Sequence, residues 1–241
     1  MRAPAIASTI ERRLLVNYRL DPAAAARILP HGMRPDLAGG FAVGGICLIR
    51  LGRLRPRPVP APFGLRTENA AHRIAVVWDG PGGPRRGVYI PRRDTSSALT
   101  ARLGGRVFAG EQHRAEFEVC ESDGRLRVGF RAKDGGASAR VEVRTAEEFS
   151  GSALFGDLEE ASRFFRDAPT GYAARATGSG LDGVTLDTAG WEVTPTDLIS
   201  VESSYFADAE LFPRGTAQPD TALLMRDIEA GWNAEPPPSC W

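Results

Sequence analysis

The chain has 241 residues and a mass of 25.9 kDa, and its 42% hydrophobic and 25% charged residues exclude full-length disorder. Thirty Lys and Arg side chains balance thirty Asp and Glu, which argues against a globally basic nucleic-acid-binding protein. The 27 Gly and 18 Pro residues favour many turns and short strands over a helical bundle.

The cysteines and the ends of the chain predict the compartment. Cys47, Cys120 and Cys240 are an odd number, lie far apart and form no CxxC pair, so neither a disulfide framework nor a zinc knuckle is expected. Residues 1–6 contain no apolar signal core, and the longest apolar stretch, 40–49, is about half a membrane span. The sequence therefore predicts a cytoplasmic protein without a membrane segment.

The first half of the chain reads as strands with two short helices. Residues 10–19 read as a strand, and 21–28 as a helix capped by Asp21 with Pro22 in its first turn. Residues 41–51 form a strand interrupted by glycine, and a Gly- and Pro-rich turn joins two strands into a hairpin. That hairpin pairs 73–78 with 87–91, and a helix over 94–104 follows, capped by Asp94 or Thr95.

The second half predicts a meander of strands over 115–121, 125–133 and 139–144, whose apolar residues alternate with period two. A helix is expected over 158–166. Later strands are expected over 181–186, 191–193, 198–206 and 222–232, although period alone would also allow a helix in the last. The fold class is α+β in one domain, 1–241: mostly antiparallel β, a few short flanking helices, a core of about 10–232 and an extended tail over 233–241.

Two local motifs carry little functional weight. Residues 178–183 match G-x-G-x-x-G, but a strand-like segment follows where a dinucleotide fold needs a helix, so we interpret them as a turn. The three histidines lack the spacing that places two imidazoles on one face. No cofactor and no metal are therefore expected.

Arg50, Arg53, Arg55 and Arg57 form a basic loop that is either solvated or contacts an anionic partner.

Several segments in order along the chain point to one family. They are LLVNYRLDP (14–22), LPHGM (29–33), GLRTEN (64–69), FFR (164–166), SSYF (203–206) and DTALLMR (220–226). Over about residues 10–232 the chain resembles the acetoacetate decarboxylase-like superfamily, and within it the DUF2071 (YqjF-like) branch of unknown function. The resemblance implies a cone-shaped barrel of strands around a small-molecule cavity.

The resemblance also implies a chemistry that this chain departs from. True acetoacetate decarboxylases use a lysine that forms a Schiff base with a β-keto acid. That lysine falls on or near Ala109, and the only lysine of the chain, Lys133, lies beside a predicted hairpin tip. Arginine stays protonated and forms no imine at neutral pH. Decarboxylation of acetoacetate through a covalent imine is therefore not expected.

The remaining family positions supply the candidate site residues. The resemblance places the family's glutamate on Glu68, its "G-R-E" arginine on Arg102, and its N-terminal arginine near Glu11 or Arg12. Glu68 and His113 are the candidate acid–base residues, and Arg102, Arg12 and Tyr89 are the candidate substrate-binding residues. Each also has a plain structural interpretation as an ion-paired, hydrogen-bonded or surface side chain.

Three functions stay open from the sequence. The first is a small-molecule-binding protein or enzyme whose ligand is a small organic acid or carbonyl compound. The second is a ligand-sensing module with the same pocket and no turnover. The third is an interaction protein that uses the Arg50–Arg57 loop. No nucleic-acid partner is expected, and the sequence leaves self-association into a homo-oligomer open.

Overall fold

The structure, a computed structural model, describes residues 5–80, 82–103, 108–176 and 179–238. Within these ranges the chain forms three α-helices, α1 (Pro22–Ala26), α2 (Ala98–Leu103) and α3 (Leu158–Arg166), and a 3₁₀ turn over Ala61–Phe63. The strands are β1 (Ile6–Leu20), β2 (Met33–Pro35), β3 (Leu37–Ala38), β4 (Phe41–Pro56), β5 (Leu65–Gly80), β6 (Gly83–Thr95), β7 (His113–Ser122), β8 (Arg125–Ala132), β9 (Ser138–Thr145), β10 (Thr170–Ala174), β11 (Leu181–Thr188), β12 (Thr194–Ser203) and β13 (Ala217–Glu235).

The strand pairings close two rings that share a wall. A seven-strand ring runs β13-β1-β4-β5-β6-β10-β11 and returns to β13. A nine-strand ring leaves β6 through β7, β8, β9 and β12 and also returns to β13. Strands β13, β1, β4, β5 and β6 belong to both rings, and we call them the shared wall. Each face of the shared wall therefore faces a different interior.

The two interiors explain why the shared-wall strands are so apolar. Leu14 and Val16 of β1 pack into the core of the nine-strand ring, which β8 and β9 complete with residues such as Val128 and Val141. The neighbouring Leu15 packs into the core of the seven-strand ring. Because successive side chains of a strand point to opposite faces, a strand between two cores is apolar without interruption.

Helix α3 covers part of the seven-strand ring, and its local sequence accounts for its position. Asp157 accepts a hydrogen bond from the Glu160 amide at 2.7 Å, which caps the helix. Ala161, Phe164 and Phe165 recur at the spacing of one helical face and are buried against this ring's core.

The sequence-based fold class is confirmed, since the chain is mostly antiparallel strand with short helices. The helix over 158–166 has the predicted bounds, the Asp21 cap forms, and 222–232 lies in a strand. Two local predictions are wrong. Asp94 belongs to β6 and helix α2 begins only at Ala98, because Asp94 and Thr95 pair with β5 and β7. Residues 191–193 form no strand.

Candidate functional site

The seven-strand ring encloses a cavity of about 150 Å³. A single water needs only about 10–15 Å³ on such a measure, so the space suits a small organic molecule. Every strand of the ring contributes lining residues, and α3 adds its two phenylalanines. The lining includes Leu15, Ile49, Ala71, Ala75, Val88, Ile90, Phe108, Phe164, Phe165, Gly171, Val184, Leu186, Trp191 and Trp232.

Four arginines line this cavity, which we call the arginine cavity. Arg166, at the end of α3, lies 3.5 Å from the Asp167 carboxylate, and the other three arginines lie on strands. Arg13 lies on β1, Arg73 on β5 and Arg93 on β6, all in the shared wall. Among the described residues, none of the three forms an ion pair with a carboxylate. Arg73 is buried, whereas Arg13 and Arg93 are partly exposed. Because buried charges in proteins are normally paired, an Arg73 without a carboxylate partner, beside two further cations, indicates a site for an anion.

The hydrogen bonds of these arginines leave donors unused. Arg73 Nη2 donates to Asn17 Oδ1 at 2.5 Å, but its Nε and Nη1 are shielded from water and have no acceptor. Arg93 Nε is in the same condition. Arg13 Nε and Nη1 contact only sulfur atoms, Cys47 Sγ at 3.4 Å and Met225 Sδ at 3.9 Å. A carboxylate would supply the acceptors that these guanidinium groups lack.

Arg73 and Arg93 stay charged at neutral pH although burial lowers the pKa of both. Burial lowers the pKa of Arg73 to about 10; nearby Cys47 acts in the opposite direction, and Arg13 lowers it further. Burial likewise lowers the pKa of Arg93 to about 10, again offset in part by Cys47. Both values lie well above 7, so the cavity carries positive charge under physiological conditions.

Aromatic rings hold two of the guanidinium groups in place. The Arg73 guanidinium carbon lies 4.7 Å from the centre of the Phe165 ring, and that of Arg13 lies 5.5 Å from the Trp191 ring. Trp191 is fixed in turn by a hydrogen bond from its Nε1 to Ser162 Oγ at 3.0 Å. Helix α3 thus orients the arginines from outside the strands.

The other polar lining groups are uncharged or weakly acidic. Asn69 and Gln112 line the cavity, and Gln112 Nε2 is a further buried donor without an acceptor. Cys47 contributes a buried free thiol. Among the described lining residues there is no Asp, Glu or His. The site can therefore bind and orient an anion, but acid–base chemistry by a carboxylate or imidazole has no group in its wall.

Glu68 and Arg12 come together, but on the other face of the shared wall. Arg12 Nη2 lies 2.6 Å from a Glu68 oxygen, and Arg50 Nε lies 2.5 Å from the second oxygen. Glu121 contacts the same Arg12 at 3.0 Å. Neither Glu68 nor Arg12 lines the arginine cavity, whereas their neighbours Asn69 and Arg13 do. Their placement supports a structural ion-pair network.

His113 and Tyr89 also lie outside the cavity. His113 Nδ1 is 2.8 Å from Asp134 Oδ2, at a shallow open surface pocket. Tyr89 is half-buried beside the small cluster of Trp78 and Tyr172, and burial raises its pKa. In each case the adjacent residue, Gln112 or Ile90, lines the cavity instead.

Arg102 is exposed on α2, so it does not reach the arginine cavity. Ala109, the position of the family's lysine, is buried in a cluster with Ile90 and Val184, both of which line the cavity. Lys133 is about half-exposed and lies 3.1 Å from Glu116, outside the cavity lining. The residues before Ala109, 104–107, lie outside the described ranges.

The prediction of a basic loop is wrong for three of its four arginines, since Arg50, Arg53 and Arg55 lie on β4 and only Arg57 lies beyond it. The segment is also less positive than its sequence indicates. Arg50 pairs with Glu68, and Arg53 pairs with Glu229 and also bonds to Thr9 Oγ1. Arg55 donates to backbone carbonyls at residues 53 and 59. Distant strands thus supply acidic partners that the local sequence lacks.

Sequence reasoning missed the residues that actually line the cavity: Arg13, Arg73, Arg93, Gln112 and Cys47. The sequence offered only a weak signal for Arg73 and Arg93, namely that no acidic residue stands two positions away from either, where it would lie on the same face of the strand. Four of the missed residues follow another polar or charged residue directly, in the pairs Arg12-Arg13, His72-Arg73, Arg92-Arg93 and Glu111-Gln112. Which member of each pair faces the cavity depends on the strand's orientation.

Two searches of the described residues bear on other site types. No cluster of three or more His, Cys, Asp or Glu side chains there has a geometry that could hold a metal ion. None of the helices in those ranges combines the length and apolar character needed to cross a membrane.

Comparison with protein families identifies the chain. The family DUF2071, described as an uncharacterized conserved protein, matches residues 7–228. The chain belongs to the DUF2071 family. A search of curated proteins by sequence found no match.

Solved structures share the fold of this DUF2071 protein. An acetoacetate decarboxylase-like enzyme from Sphingomonas wittichii RW1 is 15% identical, with a TM-score of 0.63 over 99% of this chain and 93% of that one. The enduracididine biosynthesis enzyme MppR complexed with pyruvate is 14% identical, with a TM-score of 0.58 over 98% and 90%. Acetoacetate decarboxylase from Legionella pneumophila is 12% identical, with a TM-score of 0.58 over 97% and 88%. The predicted DUF2071 branch is confirmed, and the solved structures show that the chain has the acetoacetate decarboxylase-like fold.

Proposed function

We propose that this protein binds a small organic anion, of the class of oxo or hydroxy carboxylic acids, inside the seven-strand ring. The arginine cavity carries the proposal: of the four arginines that line it, Arg13, Arg73 and Arg93 have no carboxylate partner among the described residues. The carboxylate of the ligand would accept hydrogen bonds from Arg73 and Arg93, whose buried donors lack acceptors.

The apolar part of the wall limits the rest of the ligand. Leu15, Ile49 and Ala71 leave space for a short carbon skeleton, and Asn69 and Gln112 could contact one carbonyl or hydroxyl oxygen. A cavity of about 150 Å³ favours an acid of a few carbons. MppR, which has the same fold, was solved with pyruvate, and pyruvate belongs to this ligand class.

An enzyme that transfers a proton through Glu68 or His113 is less well supported, because neither side chain lines the arginine cavity. An interaction function for the basic loop is also less supported, since Arg50 and Arg53 are paired internally. We therefore favour ligand binding over both alternatives.

Thermal unfolding with matched ligands tests the proposal. A panel of oxo and hydroxy acids is compared with the neutral amide or methyl ester of each acid. An acid at about 100 times its Kd should add about 2.7 kcal/mol to the free energy of unfolding, which is roughly 5–10 °C for a domain of this size. The neutral analogues should have little effect.

Arg73→Gln is the decisive variant, because it removes the most buried of the three charges while keeping hydrogen-bonding groups. It should lose the acid-induced shift. Arg34→Gln is the matched control, since Arg34 is exposed and pairs with Asp79 far from the cavity. A shift of equal size with acids and their neutral analogues, or one that survives in Arg73→Gln, would contradict the proposal.

A further inference from the structure

Cys47 occupies an unusual place for a buried cysteine. It lies on β4, lines the arginine cavity and is only 8% exposed. Arg13 Nε donates to its sulfur at 3.4 Å. The sulfur is also close enough to Arg73 and Arg93 to raise the pKa of both guanidinium groups. A free cysteine in an ordinary core would have apolar neighbours instead.

The groups around Cys47 point to a ligand independently of the cysteine. Arg73 lines the same cavity and is only 4% exposed. Its Nε and Nη1 are nevertheless without a hydrogen-bond acceptor. Gln112 Nε2 adds a third unpartnered buried donor. An anion bound to these donors would lie in the same small space as the Cys47 sulfur.

Arg13, Arg73 and Arg93 line the same cavity as the Cys47 sulfur, so cations surround the space in which that sulfur would meet a ligand. The same cations would hold the carboxylate of a ligand and withdraw electrons from a carbonyl group next to it. An oxo acid in this cavity would thus present an electrophilic carbon to a sulfur nucleophile.

We propose that Cys47 is a nucleophile that adds reversibly to the carbonyl carbon of an oxo acid held by Arg13, Arg73 and Arg93. The inference rests on the proposed anion-binding function. In the addition, a bond forms between sulfur and the carbonyl carbon while the carbon–oxygen π bond breaks. The electron pair moves to the oxygen, which takes up one proton as the thiol gives one up. The product is a hemithioketal, or a hemithioacetal for an aldehyde acid, and no further reactant is needed.

The chain offers an internal control for this chemistry. Cys120 is a free thiol exposed on β7, outside the cavity. It lies opposite Arg127 of β8, whose charge is paired with Glu142, so its reactions report the preference of an exposed thiol beside a paired cation. A stronger preference for an anionic reagent at Cys47 than at Cys120 then reports the unpaired arginines of the cavity.

Alkylation by two reagents of nearly equal size tests the directing effect of the arginines. Iodoacetate is an anion and iodoacetamide is neutral, and both form a sulfur–carbon bond with loss of iodide and of the thiol proton. Peptide mapping by mass spectrometry gives the rate at each cysteine. We expect the ratio of iodoacetate to iodoacetamide rates at Cys47 to exceed that at Cys120 by about tenfold, equivalent to roughly 1.4 kcal/mol.

Two variants sharpen this test. Arg13→Gln should bring the ratio at Cys47 towards that of Cys120, whereas Arg34→Gln should leave it unchanged. Equal ratios at Cys47 and Cys120 in the folded wild-type protein would overturn the inference. So would an iodoacetate preference that persists in Arg13→Gln and Arg73→Gln alike.

The addition itself is measured with pyruvate labelled with ¹³C at the carbonyl carbon. Bound to the wild-type protein and to Cys120→Ser, it should give a protein-bound tetrahedral carbon signal, separate from that of free pyruvate hydrate, that is absent with Cys47→Ser. A tetrahedral signal that survives in Cys47→Ser, or its absence from the wild type, overturns the inference. If pyruvate raises the melting temperature without forming this carbon, the nucleophile is wrong and the binding function stands. If no acid raises it although iodoacetate prefers Cys47, the binding function fails, and the addition of Cys47 to a bound oxo acid fails with it.

Discussion

Three guanidinium groups without acidic partners are costly inside a protein. Transferring a charge from water to a poorly solvated interior is unfavourable unless a counter-charge or several hydrogen bonds compensate it. Arg73 has one such bond, to Asn17, and Arg13 has only sulfur contacts. A ligand carboxylate would remove this cost, so binding and stability should rise together.

Glu68 provides the contrasting case of a charge that is fully paired. Its two oxygens contact Arg12 and Arg50, and the Arg12 side chain is only 1% exposed. Glu68→Gln should therefore lower the free energy of unfolding by about 3 kcal/mol, because it leaves a buried cation with one partner fewer. Urea denaturation measures this loss. Glu229→Gln, which removes the exposed partner of Arg53, should cost less than about 1 kcal/mol.

The same variant also decides whether Glu68 has a role in the site. The acid-induced thermal shift of Glu68→Gln should equal that of the wild type, since Glu68 does not line the cavity. If a folded Glu68→Gln variant lost that shift, Glu68 would contribute to ligand binding and the prediction would be wrong.

At the scale of elements, close contact between β1 and β4 positions Arg73. Gly45 of β4 pairs with Asn17 of β1, and Asn17 accepts the hydrogen bond from Arg73. A Cβ atom on Gly45 would lie 2.2 Å from the Val16 carbonyl oxygen and 3.3 Å from Arg73 Nη2. The glycine therefore lets the two strands approach and leaves space for the guanidinium group.

Gly45→Ala should separate β1 from β4 and displace Arg73. We expect a loss of about 1–3 kcal/mol in the free energy of unfolding, the usual cost of overpacking, together with weaker binding of acids. Gly129→Ala on β8 is the control, because its Cβ would meet no atom closer than 3.7 Å. Chemical denaturation and acid titration of both variants check the prediction; equal behaviour of the two would contradict it.

At the scale of the whole molecule, the two rings differ in how they are filled. The core of the nine-strand ring packs side chains from β1, β4, β8, β9 and β13 against one another. The seven-strand ring instead retains the arginine cavity at its centre. Closure of this ring depends on the pairing of β11 with β13, near which Trp232 packs edge-on against Phe108.

A matched pair of substitutions separates the hollow ring from the filled one. Ala71→Leu adds three carbons to the wall of the cavity and should abolish acid binding, with a change in unfolding free energy within about 1 kcal/mol. Ala222→Leu adds the same carbons to the core of the nine-strand ring, where Ala222 is 1% exposed, and should cost about 1–3 kcal/mol. Thermal unfolding with and without acid gives both quantities. Similar destabilisation by the two substitutions would show that the seven-strand ring has no usable space.

The sequence by itself determined the fold class and the family. Period-two patterns in 115–144, the capped helix at 158–166 and the ordered motifs along the chain are local signals. These inferences do not require knowing which face of each strand points towards the cavity.

Only the tertiary structure decided which polar side chains face the cavity. In an ordinary half-exposed strand, hydrophobic alternation identifies the inner face. The shared wall has a core on each side, so Leu14 and Leu15 are equally buried and the alternation disappears. An error of one residue in assigning the face then selects Arg12 instead of Arg13, Glu68 instead of Asn69 and His113 instead of Gln112. It places the candidate site at the ion-pair network instead of the arginine cavity.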